Sequence, residues 1–120
     1  MPEPVTLSLC RLTGFSKMGQ PLDQLRFADI AATRKFYCCR RSYMEAARDP
    51  VSRRSAETTQ ALVECLRAAE DHKDALCGLW NGLLNDAPSL GRQMEMRLTM
   101  ARYEFMVCDL HAIQMRAFDL

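Results

Sequence analysis

Apolar positions along this chain fall into three stretches with a repeat of three to four residues, preceded by a short stretch in which they alternate. In the first, Leu25, Ala28, Ala32, Phe36, Cys39, Tyr43 and Ala46 lie one helical turn apart, the spacing that gathers side chains into a single stripe. This predicts a helix over residues 22–48. It opens at Pro21-Leu22-Asp23, where a proline and an acid suit the first turn, and stops at Asp49-Pro50, because proline disfavours helical geometry in the residue before it and cannot donate the next backbone bond. A tight reversal follows.

The second stretch has Ser55 as cap and Glu57 in the first turn, then a seam of Leu62, Leu66, Ala69, Lys73, Leu76, Trp80, Leu83 and Ala87. The steps of four and three predict a helix over 55–85 that packs like a coiled coil, with one interruption at Lys73. Gly78 and Gly82 each cost about 1 kcal/mol against alanine in such a helix unless they allow a neighbour to approach closely.

After Pro88-Ser89 a third helix is predicted over 90–117, and its pattern differs. One stripe is Met94, Leu98, Ala101, Phe105, Cys108, Ala112 and Met115; a second is Met96, Met100, Tyr103, Val107 and Leu110. The remaining polar face, Arg92, Glu95, Arg102, Asp109 and Arg116, is itself interrupted by Met106 and Ile113. Apolar residues therefore cover more than half the circumference, and a small bundle buries only one face of each helix. The second stripe, with Met106 and Ile113, is left to be covered in part by the N-terminal segment and for the rest by other protein subunits or a second copy of the chain.

These elements define an all-α protein, an elongated antiparallel three-helix bundle over residues 22–120. Residues 1–21 form an irregular or extended N-terminal arm, punctuated by Pro2, Pro4, Gly14, Gly19 and Pro21 and alternating at Val5, Leu7 and Leu9. The arm's apolar residues also need cover, on the bundle itself or on a neighbour.

Charge adds a register. Residues 34–54 carry Arg34, Lys35, Arg40, Arg41, Arg48, Arg53 and Arg54 against Glu45 and Asp49, and residues 57–86 carry Glu57, Glu64, Glu70, Asp71, Asp74 and Asp86 against Arg67 and Lys73. In a hairpin turning at Ser52, Arg48 meets Glu57, Arg41 meets Glu64, Lys35 meets Glu70 and Arg34 meets Asp71, leaving Arg40, Arg53 and Arg54 for an anionic partner. A net charge of +1 argues against a dedicated nucleic-acid binder. With nearly half of its 120 residues apolar, the chain suffices for one domain with a core. No apolar run approaches a membrane span, the longest, Ala75 to Leu84, containing Asn81.

Candidate chemistry is sparse. The six cysteines include no CxxC pair, and the chain lacks the pattern of a secretory signal, which favours free thiols in a reducing intracellular compartment, cytoplasm first and organelle matrix second. In the antiparallel bundle Cys39, Cys65, Cys108 and His111 fall at one level. That layer suits a tetrahedral zinc site, or a disulfide between Cys39 and Cys65; plain packing of small apolar thiols is the simpler expectation, with no cofactor. Glu70, Asp71, His72 and Asp74 read as a solvated acidic face, and no HExxH, phosphate loop or serine elbow accompanies them.

The functional expectation is a non-enzymatic structural or adaptor subunit of a larger assembly, docking through Met96, Met100, Tyr103, Met106, Val107, Leu110 and Ile113 and through the arm. The alternatives are a small thiol or zinc-binding module and an anionic-polymer binder.

Overall fold

The computed structural model describes residues 21–118 and shows three long helices, α1 (Leu22–Arg48), α2 (Ala56–Leu84) and α3 (Leu90–Phe118). They pack into a body of 54 × 26 × 22 Å, so the bundle is elongated as its pattern implies. Neither the N-terminal arm nor a contact to it falls within the described residues.

Each boundary has a local cause. Asp23 lies in the first turn of α1, where the helix dipole favours an acid. At the first reversal the Asp49 carboxylate accepts from the Val51 N–H at 3.0 Å, Ser52 Oγ donates to the Ala46 carbonyl at 2.9 Å, and Arg53 Nε donates to the Ala47 carbonyl at 2.9 Å. Two carbonyls of the last turn of α1 are satisfied in this way. Ser55 caps α2 by accepting from the Thr58 N–H at 3.1 Å, and Ser89 caps α3 by accepting from the Arg92 N–H at 3.0 Å.

The stripe expected on α1 is the one that is covered, with Leu25, Phe36 and Tyr43 nearly inaccessible. On α2 the seam is rotated from its expected line. The buried row is Cys65, Ala69, His72, Leu76, Leu79 and Leu83, and Lys73 lies beside it in an ion pair with Glu70. The apparent interruption disappears because His72, not Lys73, occupies the seam. His72 is therefore no part of a solvated acidic face: it is 2% exposed, stacked on the Phe36 ring at 5.6 Å between centroids, while Glu70 and Asp71 stay in water.

The core divides into a larger cluster, which includes Phe36, Tyr43, Cys65, Ala69, Met106 and Ile113, and a smaller one of Leu25, Leu79 and Leu83 near the other end. Full burial of each large apolar side chain contributes about 1.5–3 kcal/mol. Gly82 serves the smaller cluster. A Cβ there meets Leu25 Cδ1 at 2.5 Å and Leu22 Cδ2 at 3.0 Å, so glycine lets α1 approach α2 closely.

The largest departure from the sequence pattern concerns α3. Its inward face is the one that looked polar. Thr99, Met106 and Ile113 form a buried central row, Met96, Tyr103 and Leu110 pack toward the core clusters, and Glu95, Arg102 and Asp109 turn toward α1. All three rows step by seven residues. Charged residues can face inward here because α1 presents an opposite charge to each of them, Arg26, Asp29 and Arg40 in turn.

Candidate docking surface

α1 and α3 run parallel and are joined by long polar side chains. Arg26 donates from Nε and Nη2 to the Glu95 carboxylate, both at 2.8 Å. Arg102 donates from Nη1 and Nη2 to the Asp29 carboxylate at 2.6 and 2.9 Å, and from Nη2 to Thr33 Oγ1 at 2.9 Å. Arg40 Nη2 donates to Asp109 Oδ1 at 3.0 Å, with Nε 2.9 Å from Oδ2. The partners Arg26–Glu95, Thr33–Arg102 and Arg40–Asp109 share a sequence separation of 69. Charge alternates along both helices, positive, negative, positive on α1 and the reverse on α3. A slip of α3 by seven residues sets Arg102 against Arg26 or Arg40, so the ladder fixes the register.

This ladder replaces the expected one between α1 and α2. Three ion pairs join α1 to α3, and among the described residues the four expected pairings, Arg48–Glu57, Arg41–Glu64, Lys35–Glu70 and Arg34–Asp71, do not form. The proposed spare cations are occupied as well. Arg40 is in the ladder, Arg53 caps α1, and Arg54 has an interaction of its own.

The middle rung is the most enclosed. The Asp29 side chain is 5% exposed and Arg102 33%. Thr33 Oγ1 lies 3.2 Å from Asp29 Oδ1 and 3.4 Å from His72 Nδ1. Burial pushes the His72 pKa below its usual value, with Arg102 acting in the same direction and Asp29 opposing it. The order of contacts is not that of a nucleophile–base–acid relay, because Asp29 holds Arg102 and Thr33 rather than the histidine. At the upper rung, the hydrogen bond from Arg26 holds the Glu95 carboxyl below the usual carboxylate range.

Beside the middle rung the surface opens into a cleft of about 230 Å³ lined by Thr33, Tyr37, His72, Ala101, Arg102 and Phe105. A second groove of about 540 Å³ lies on the other side of Ala101, between Trp80 and the Arg92–Glu104 stretch of α3. The ridge between them is the outward row of α3: Met94, Leu98, Ala101, Phe105, Cys108, Ala112 and Met115, all exposed. Met94 is 63% accessible, Leu98 59% and Phe105 69%. Alternating steps of four and three make this a complete heptad seam that no other described helix covers.

The docking residues expected from the sequence are thus divided. Met106 and Ile113, each 1% exposed, belong to the core and cannot meet a partner. Met96, Tyr103 and Leu110 are half-buried against α1 or α2, while Met100 and Val107 remain on the surface. The row that had been assigned inward is the one in water. Sequence reasoning also missed Asp29, Thr33, Glu95 and Arg102; the seven-residue alternation of charge at Glu95, Arg102 and Asp109, matched in opposite sign by Arg26, Asp29 and Arg40, was the available signal.

The cysteine layer assembles only in part. Cys39 and Cys65 are neighbours, and Cys65 is buried with its thiol pushed up to about 11, chiefly by desolvation and then by Cys39. Cys108 and His111 are exposed, on the far side of α3 from its buried row. Among the described residues no group of three or more His, Cys, Asp or Glu is placed to hold a metal ion, and Cys39, Cys65 and Cys108 are free thiols. No described helix is long and apolar enough to cross a membrane. No protein-family model matches the chain, and no curated protein or solved structure is significantly similar to it.

Proposed function

We propose that the chain is a non-enzymatic structural or adaptor subunit that docks through α3. One observation carries this reading: α3 has two heptad faces, one engaged with α1 and α2 and one exposed from Met94 to Met115. Single exposed apolar residues are ordinary, but a contiguous apolar ridge on a folded domain is a feature of interaction sites. Three methionines in or beside the ridge, Met94, Met100 and Met115, have chains that repack easily against a partner. The partner is another protein subunit or a second copy.

The reading is tested on the purified chain at micromolar concentration. It expects either self-association or, in the monomer, binding of a hydrophobic dye that Phe105→Glu abolishes while helix content stays unchanged. A fully folded monomer with no affinity for the dye contradicts it.

A further inference from the structure

The exposed seam of α3 has two flanks of different character. Glu95, Arg102 and Asp109 border it on the α1 side and are already in ion pairs. Arg97, Glu104 and His111 border it on the other side and are all exposed. Resting on the docking reading above, we infer that the occupant is a second copy of this chain, with α3 packed antiparallel on α3 about a two-fold axis between Leu98 and Ala101.

Flanking charges set orientation in paired helices. A parallel pair places each outer-flank residue against the opposite flank of the other copy five positions on. Arg97 then faces Arg102 and Glu104 faces Asp109, both like-charged. An antiparallel pair centred between Leu98 and Ala101 instead places Arg97 against Glu104 of the second copy, twice by symmetry. Leu98 packs on Ala101 and Met94 on Phe105 across the same axis. Self-complementarity of this kind is what a two-fold interface requires.

The α1 shoulder agrees with this centre. Ile30 is 47% exposed and shares a helical face with Tyr37, which lines the cleft beside Phe105. By the register of the ladder Ile30 is level with Thr99, so an apolar residue lies beside the axis. Moving the antiparallel register one heptad toward the C-terminus brings Glu104 against its own copy and places Arg34 level with the axis, two like-charge contacts. The overlap from Gly91 to Cys108 is about 27 Å long at the helical rise. A helix pair of that length is at the low end of specific interfaces, so the dimer depends on concentration.

The test is sedimentation equilibrium of the full chain and of three variants over a wide concentration range, with circular dichroism to show that each folds. Wild type is expected to dimerise, Arg97→Glu and Glu104→Arg each to weaken the dimer by about tenfold, and the double variant R97E/E104R to restore it. A dimer that the double variant does not restore overturns the inference. Monomers at every concentration overturn it too; dye binding that Phe105→Glu removes then keeps the docking reading with a different occupant, and its absence ends both.

Discussion

Replacing Arg102 with methionine tests the ladder where it is most enclosed. The Asp29 carboxylate loses two hydrogen bonds and its ion pair with Arg102, and at 5% side-chain exposure it cannot turn to water. Stranding one member of a buried pair costs about 3–5 kcal/mol. The Arg102 side chain is 33% exposed, and the partial screening brings the expected loss to about 2–3 kcal/mol. For a domain with about 5–15 kcal/mol of stability and a urea slope of about 1–3 kcal/mol per molar, the unfolding midpoint falls by about 1–2 M. Asp29→Leu costs less, about 1–2 kcal/mol, because the freed guanidinium can reach solvent. The double variant D29L/R102M removes both charges together and is expected within about 1 kcal/mol of wild type. Arg41→Met, at an exposed position of α1 outside the ladder, serves as control and shifts stability by no more than about 0.5 kcal/mol. The reasoning is refuted if Arg102→Met behaves like Arg41→Met, or if the two losses simply add in the double variant.

Three further outcomes follow from other contacts. Gly82→Ala is expected to lower stability by about 1–3 kcal/mol in a denaturation curve, because the new methyl meets the buried Leu25 and the clash outweighs a helix-propensity gain of about 1 kcal/mol. Stability should fall on acidification below the ordinary histidine value of 6.5: the unfolded chain protonates His72 while the fold keeps it neutral, so the unfolded state binds more protons in that window. Unfolding curves collected across that window for wild type and His72→Phe check this, and the variant should lose that part of the dependence, leaving the loss at lower pH as Glu95 is protonated. Under native conditions at pH 8, mass spectrometry should find a thiol reagent on Cys38 and Cys108 but not on Cys65, which is inaccessible and has its thiol pushed up to about 11.

The bundle was legible because its signals are local. Asp49-Pro50 and Pro88-Ser89 break the chain, Ser55 caps, and the stripe from Leu25 to Ala46 has a single consistent period. The face of α3 was not legible from hydropathy, for a physical reason. Both of its faces are amphipathic at heptad spacing, and the more apolar one lies outside, while Glu95, Arg102 and Asp109 turn inward against α1. Hydropathy ranks an inward arginine as solvated. Only its partner's position reverses that ranking, and the partner is 73 residues away. The same holds for His72, which looked like part of an acidic surface until Phe36 and Thr33 were seen against its ring. Charge complementarity between the basic and acidic halves of the α1–α2 hairpin was real in composition but misassigned in space, because the α1 cations that form cross-helix ion pairs point to α3.

The orientation of α3 underlies both its docking surface and the inferred dimer, and the native methionines report it directly. Met94 is 63% exposed and Met115 49%, whereas Met106 is 1% exposed. Peroxide oxidation of the dilute, folded chain, followed site by site by mass spectrometry, should convert Met94 and Met115 rapidly and spare Met106 by a factor on the order of ten or more. Met106 oxidising as fast as Met94 contradicts the account, because α3 would then present its other face to water.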